Sequence, residues 1–230
     1  MADVLPSGGV LLILAPHPDD ESLGCGGLLA ELWRGGGRAH VACLTDGEAS
    51  HPRSRQHPAA ALAELRRNEL NTAVRILGGR TSDITFLGFP DAAVHRVHGP
   101  GQDPVRALAG IVDTVGASTI LAPSPLDPHC DHETGAAVAR KVALSRPSLA
   151  LWYYPVWSAW QSREGTLPLP AGTRPVRRNH HYRDVKYAAI AAHRSQSGQV
   201  VKDDPDGFTM PAGFAEYFAN RQETFLEVAS

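Results

Sequence analysis

His17-Pro18-Asp19-Asp20-Glu21 places one imidazole and three carboxylates within five positions. Like charges packed that closely repel unless a cation or several hydrogen-bond donors compensate, and a divalent metal is the simplest compensation. A solvated acidic turn is the plain alternative for this segment taken alone. A second segment, Asp127-Pro128-His129-Cys130-Asp131-His132, adds two imidazoles and two acids. Two histidines and one carboxylate make a usual catalytic zinc shell, with the fourth position left for water or substrate, and the lack of a cysteine pair disfavours a closed structural site. An N/O donor set of this kind accepts iron(II) or cobalt(II) as well as zinc.

Other residues invite chemistry less directly. Arg66 and Glu69 fall inside the apolar stripe of a predicted helix made by Leu62, Leu65, Ala73, Ile76 and Leu77. They read either as a mutual buried ion pair or as site residues, and we favour Arg66 as a substrate contact. Lys186 and His193 share one face of a short helix, where hydrogen bonding at the helix end is the simpler reading. Gly24-Cys25-Gly26-Gly27 suggests a phosphate-cradling loop, but the spacing is wrong for a dinucleotide fingerprint and the acidic segment before it would repel pyrophosphate.

The elements that must position these groups alternate. Continuous apolar runs at 10–14, 39–44, 84–87, 119–122 and 149–154 read as buried parallel strands. Helical patterns fill 23–33, 59–77, 104–115 and 132–144 between them. This predicts an α/β fold, a three-layer, mostly parallel, Rossmann-like sheet. Ligands of such sheets bind beyond the carboxyl ends of the strands, where His17, Asp19 and Asp20, then Asp46 and Glu48, then Asp91, then His129, Asp131 and His132 all fall. Residues 155–179, rich in Pro, Gly, Arg and Trp, read as a long surface loop, with short helices at 184–193 and 214–221 closing the chain. Trp157 and Trp160 in that loop are read as hydrophobic packing rather than as a sugar platform.

A length of 230 residues suits one domain, residues 1–230. The formal charge of −2 excludes nucleic acid or an anionic membrane as a partner drawn by the overall field. No stretch is long and apolar enough to span a bilayer, and the start of the chain lacks the features of a secretory signal, so a cytoplasmic setting without membrane insertion is expected. Three cysteines without metal-finger spacing read as reduced thiols, and a homo-oligomer is compatible with all of this.

Taken together, the two signatures resemble those of the PIG-L/LmbE-like family of zinc-dependent N-acetylglucosaminyl deacetylases, and the likeness covers most of the chain. Weaker similar features are Thr45-Asp46-Gly47-Glu48, Arg66-x-x-Glu69, Phe86-Leu87-Gly88 with Pro90-Asp91, and the segment from Lys186 to Gln196. The resemblance implies removal of an acetyl group from the amide nitrogen of a small amino-sugar conjugate. It implies His17, Asp20 and His132 as metal ligands, Asp19 as general base, and His129 as the group that stabilises the oxyanion or protonates the leaving amine. Arg66 and Asp91 would contact the sugar. Asp131 is expected to orient a protonated His129. Cys130 stands where proline is commoner, and Asp127 where some relatives carry tyrosine. Two other readings stay open: an amidase on a non-sugar or thiol-conjugate amide, and a sugar-binding protein with a vestigial metal site.

Overall fold

A computed structural model describes residues 9–97 and 102–229; the first eight residues, on which the reading of the N-terminus rests, lie outside it. Its elements in chain order are β1 (Val10–Ala15), α1 (Asp20–Arg34), β2 (Arg38–Thr45), α2 (Ala59–Leu77), β3 (Ile84–Phe89), α3 (Pro104–Val115), β4 (Ala117–Pro123), α4 (Cys130–Leu144), β5 (Ala150–Tyr154), α5 (Trp157–Gln161), β6 (Thr173–Arg178), α6 (Arg183–Ala191), α7 (Phe214–Asn220) and β7 (Glu223–Val228).

All seven strands join one sheet in the order β3-β2-β1-β4-β5-β7-β6. The first five are parallel, while β7 runs antiparallel to β5 and β6 antiparallel to β7. β1 is buried along its whole length, which is why it reads as an unbroken apolar run. One core packs α1, α2, α6 and α7 on one face, and a second packs α3 and α4 on the other. The expected three-layer architecture is therefore present.

Strand order reverses between β1 and β4, so the two loops that carry the acidic and histidine-rich segments leave adjacent strands at the same edge. Two helices start inside those segments rather than after them. α1 begins at Asp20 and α4 at Cys130, with Asp20 and Glu21, and Asp131 and Glu133, in their first turns. Apolar periodicity cannot show such starts; the helix dipole, which favours carboxylates there, accounts for them.

The stretch 155–179 is not a featureless loop, which corrects the sequence expectation. It holds α5 and the edge strand β6, and β7 follows the last predicted helix. α5 is only five residues long, and β6 carries Arg174, Pro175, Arg177 and Arg178 with a single apolar residue, Val176, turned to the core. A proline and charged side chains suit an edge strand and erase the alternation that would reveal it.

The Gly24–Gly27 run has a packing explanation. A Cβ at Gly24 would lie 2.2 Å from Tyr154, at Gly26 3.0 Å from Lys186, and at Gly27 2.3 Å from His180. The glycines let α1 approach its neighbours; no phosphate cradle is needed to explain them. Lys186 is buried against Glu223 at 2.6 Å, and Glu223 also accepts the backbone N–H groups of Gly27 and Leu28. Among the described residues no helix is long and apolar enough to cross a membrane.

Candidate metal centre

The loop after β1 turns sharply at Asp19, whose φ of 155° and ψ of −27° lie far from ordinary backbone wells. Strain of this kind costs on the order of 1–3 kcal/mol and persists only where its surroundings enforce it. Here the Asp19 N–H donates to Glu21 Oε2, and its Oδ2 accepts from Arg66 Nη2 at 3.1 Å. Arg66 also donates to the carbonyls of Pro18 and Gly47. Gly47 must be glycine: its φ is 68°, and a Cβ there would lie 2.0 Å from the Arg66 guanidinium.

His17 Nδ1 lies 3.2 Å from Asp20 Oδ2, and His132 Nε2 lies 3.3 Å from the same oxygen. Ligands bound tetrahedrally at zinc's N and O distances stand roughly 3.3 Å apart. His132 is fully buried, and its Nε2 has no hydrogen-bond partner, since Asp20 is close but not aligned for a bond. A buried ring nitrogen without a partner is costly, and a cation between it, His17 Nδ1 and Asp20 removes the cost. The residues present fit a divalent ion.

The far nitrogens of both rings are held by carboxylates. His132 Nδ1 meets Asp127 Oδ2 at 3.0 Å, and His17 Nε2 meets Asp91 Oδ1 at 3.2 Å and Asp131 Oδ2 at 3.3 Å. Such partners fix the tautomer and the ring plane so that the opposite nitrogen points at a metal. Asp131 in turn accepts from the Ala92 N–H at 2.7 Å and tethers the turn after β3, where Ala92 adopts a φ of 59°.

The charge balance agrees. Burial lowers the affinity of His17 for a proton, but Asp131, Asp20 and Asp91 outweigh it and raise its pKa well above the ordinary value. Burial likewise opposes charge on His132, yet Asp20 and Asp127 lift it to about 9. Asp20 is pushed up by burial but held well below the carboxylate range by His132 and His17. Without a metal the site thus recruits protons to offset its carboxylates, and a cation competes for the same place. Asp19 differs: burial raises it to about 6 against the pull of Arg66. His129 is driven down to about 4 by burial and by His17 and His132, which favours its neutral form.

Several partners differ from those expected. His129 Nδ1 accepts the backbone N–H of Asp131, while the Asp131 carboxylate serves His17; Asp131 does not orient His129 through its side chain. This bond places the proton of the neutral ring on Nε2. Asp91 faces His17 and the Ala49 N–H, and Arg66 is buried on Asp19, while both also line the cavity above the site. Arg66 and Glu69 do not pair: Glu69 accepts from the Ser195 N–H and hydroxyl. His193 faces Glu21 at 3.5 Å. The partner of His132, Asp127, was missed as a functional residue, although its place five residues before His132 and just ahead of α4 was the available signal.

A cavity of about 470 Å³ opens above these groups, with His17, Asp19, Asp20 and His129 in its floor and Trp157 and Phe214 in its wall. Trp157 packs against Phe208 and Phe214, and Trp160 against Phe214 and Tyr217, as expected of hydrophobic anchors.

Residues 12–143, which hold both signatures, match the PIG-L family, described as GlcNAc-PI de-N-acetylase. The chain belongs to the PIG-L family. It is 34% identical over 149 residues to a 1D-myo-inositol 2-acetamido-2-deoxy-alpha-D-glucopyranoside deacetylase of Kineococcus radiotolerans, a match covering 63% of this chain and 38% of that protein. This chain therefore spans well under half of that relative's length. It is 31% identical over 200 residues to a probable N-acetyl-alpha-D-glucosaminyl L-malate deacetylase 2 of Bacillus anthracis, covering 84% of each. In fold it is similar to the N,N'-diacetylchitobiose deacetylase from Pyrococcus horikoshii, with a TM-score of 0.68 at 19% identity over 95% of this chain and 83% of that one.

Within this PIG-L site Arg66 acts on Asp19 by charge, which yields a signed expectation. Arg66 favours the carboxylate form of Asp19, the form in which that group could serve as a general base. In Arg66→Gln the acid limb of kcat/KM should move to higher pH by roughly one to three units, with KM nearly unchanged. A raised KM with an unmoved limb would show Arg66 to be a substrate contact instead.

Proposed function

We propose that the chain is a zinc-dependent hydrolase that removes an acetyl group from the amide nitrogen of an N-acetylglucosamine-type conjugate. The observation that carries this is Asp20 Oδ2 at 3.2 Å from His17 Nδ1 and 3.3 Å from His132 Nε2, with Asp19 lining the same cavity. The names of its relatives in the PIG-L family support an amino-sugar amide as substrate.

When bound, a divalent ion at His17, Asp20 and His132 supplies a Lewis acid that polarises a carbonyl and brings the pKa of a water toward about 7. Asp19, carboxylate at neutral pH and angled by its own backbone, takes the proton of the attacking water. Its pKa near 6 matches a base that works around neutrality. His129, neutral with its proton on Nε2, donates to the carbonyl oxygen as that oxygen gains negative charge. Asp19, once protonated, is the group placed to return the proton to the leaving amine. Asp91, Asp131 and Asp127 act one step back by holding the two ligand rings. Residues 1–230 would act as one catalytic domain, in a reducing, cytoplasmic setting consistent with three unpaired thiols.

Acetate release from a panel of N-acetylglucosamine conjugates, N-acetylated non-sugar amides and thiol-conjugate amides tests the reading. Zinc-loaded protein should release acetate from at least one amino-sugar conjugate, and Asp19→Asn should not. Turnover confined to the non-sugar amides would replace the substrate class, and turnover of none would point to a vestigial site.

A further inference from the structure

Beside the proposed metal ligands lies a second group of donors, two of which, His95 and Cys130, have no part in the proposed reaction, while the third, Asp131, is shared with it through His17. A ring nitrogen of His95, the Cys130 thiol and a carboxylate oxygen of Asp131 all lie within 4.8 Å of one another. Cys130 Sγ is 3.8 Å from Asp131 Oδ1, near the roughly 3.5 Å that a sulfur and an oxygen on tetrahedral zinc would span. The two oxygens of Asp131 are differently engaged. Oδ2 is taken by His17 Nε2 and the Ala92 N–H, whereas Oδ1 has only a long 3.4 Å contact from the Val94 N–H and the approach of the thiol. Asp131 is buried, Cys130 half-buried and His95 exposed, so the group faces solvent on one side and is anchored on the other. His95 sits on the single turn Val94–Arg96, whose Val94 N–H lies 3.4 Å from Asp131 Oδ1, and its Nε2 accepts from Arg96 Nε at 3.1 Å, which leaves Nδ1 as its freer nitrogen.

We infer that His95, Cys130 and Asp131 form a second site, selective for a thiophilic divalent cation such as zinc or cadmium, whose occupation lowers activity. Sulfur and imidazole set the preference for soft or borderline ions over magnesium or calcium. The thiol proton leaves to solvent as the ion binds. The effect on activity rests on the proposed reaction and runs through Asp131: an ion drawing on this carboxylate weakens its hold on His17, whose Nδ1 is one of the proposed metal ligands. Excess zinc would then restrain the enzyme that one zinc activates.

Cobalt(II) titration of the metal-free protein separates the two sites. Wild type should bind two equivalents, the second bringing a thiolate-to-cobalt charge-transfer band in the near ultraviolet. Cys130→Ser should bind one equivalent without the band, and His95→Ala should bind the second about tenfold or more weakly. In parallel, excess zinc should inhibit wild type and leave Cys130→Ser turning over. A band that survives in Cys130→Ser, a single equivalent in wild type, or second-equivalent affinity unchanged by His95→Ala would overturn the site. Equal inhibition of wild type and Cys130→Ser by excess zinc would overturn its effect on activity. Failure of the catalytic reading has a different signature: the first equivalent would survive His132→Ala.

Discussion

Asp19→Asn is expected to retain a full equivalent of zinc and to lose roughly 10²- to 10⁴-fold in kcat, the usual worth of a positioned general base. The substitution is nearly isosteric and keeps an oxygen for Arg66, which now lies 3.1 Å from the carboxylate. The fold and the cavity should therefore survive, and the loss should be of proton transfer. Asp19 cannot easily be both base and ligand; in the proposed mechanism Asp20, whose Oδ2 lies 3.2 Å from His17 Nδ1 and 3.3 Å from His132 Nε2, takes the second role. Metal analysis paired with turnover checks this. Zinc lost in step with activity would move Asp19 into the ligand set.

Asp127→Ala should destabilise the metal-free protein by roughly 3–5 kcal/mol, because it removes one member of a buried, hydrogen-bonded charge pair. Asp127 is fully buried and accepts from the N–H groups of Val156 and Ser158, each at 2.9 Å, from the Ser158 hydroxyl, and from His132 Nδ1. It joins the end of β4 to the start of α5 and holds the ligand ring in the tautomer that leaves Nε2 free. Metal affinity should accordingly fall about 10- to 100-fold in the protein that remains folded. Thermal unfolding with and without zinc, together with competition against a chelator, measures both effects. A folded Asp127→Ala that binds zinc as tightly as wild type would deny Asp127 this role.

Much of the scaffold was legible because parallel strands buried on both faces leave apolar runs, as Val10–Ala15 does, and because the chemistry falls just past their ends. The antiparallel edge was not. β6 is an edge strand with arginines and a proline, and the buried Glu223 of β7 has no sequence mark, since its partners Lys186, Gly27 and Leu28 come from other elements. In the centre itself, residue types and spacing could bring the donors together but could not say which carboxylate faces which ring. That choice depends on the turn at Asp19, on α4 starting at Cys130, and on the chain folding back at Asp127. For the same reason spacing pairs Asp131 with His129, whereas its carboxylate serves His17; Asp91 faces the same ring and also lines the cavity.

The three imidazoles of His17, His129 and His132 also come close enough to hold an ion among themselves, so geometry offers a rival ligand set without Asp20. Zinc stoichiometry in His129→Ala and His132→Ala, measured on proteins prepared metal-free and reloaded with one equivalent, decides between the two. The account predicts near-full retention in His129→Ala with much reduced turnover, and near-complete loss in His132→Ala. Equal loss of zinc from both variants would contradict it.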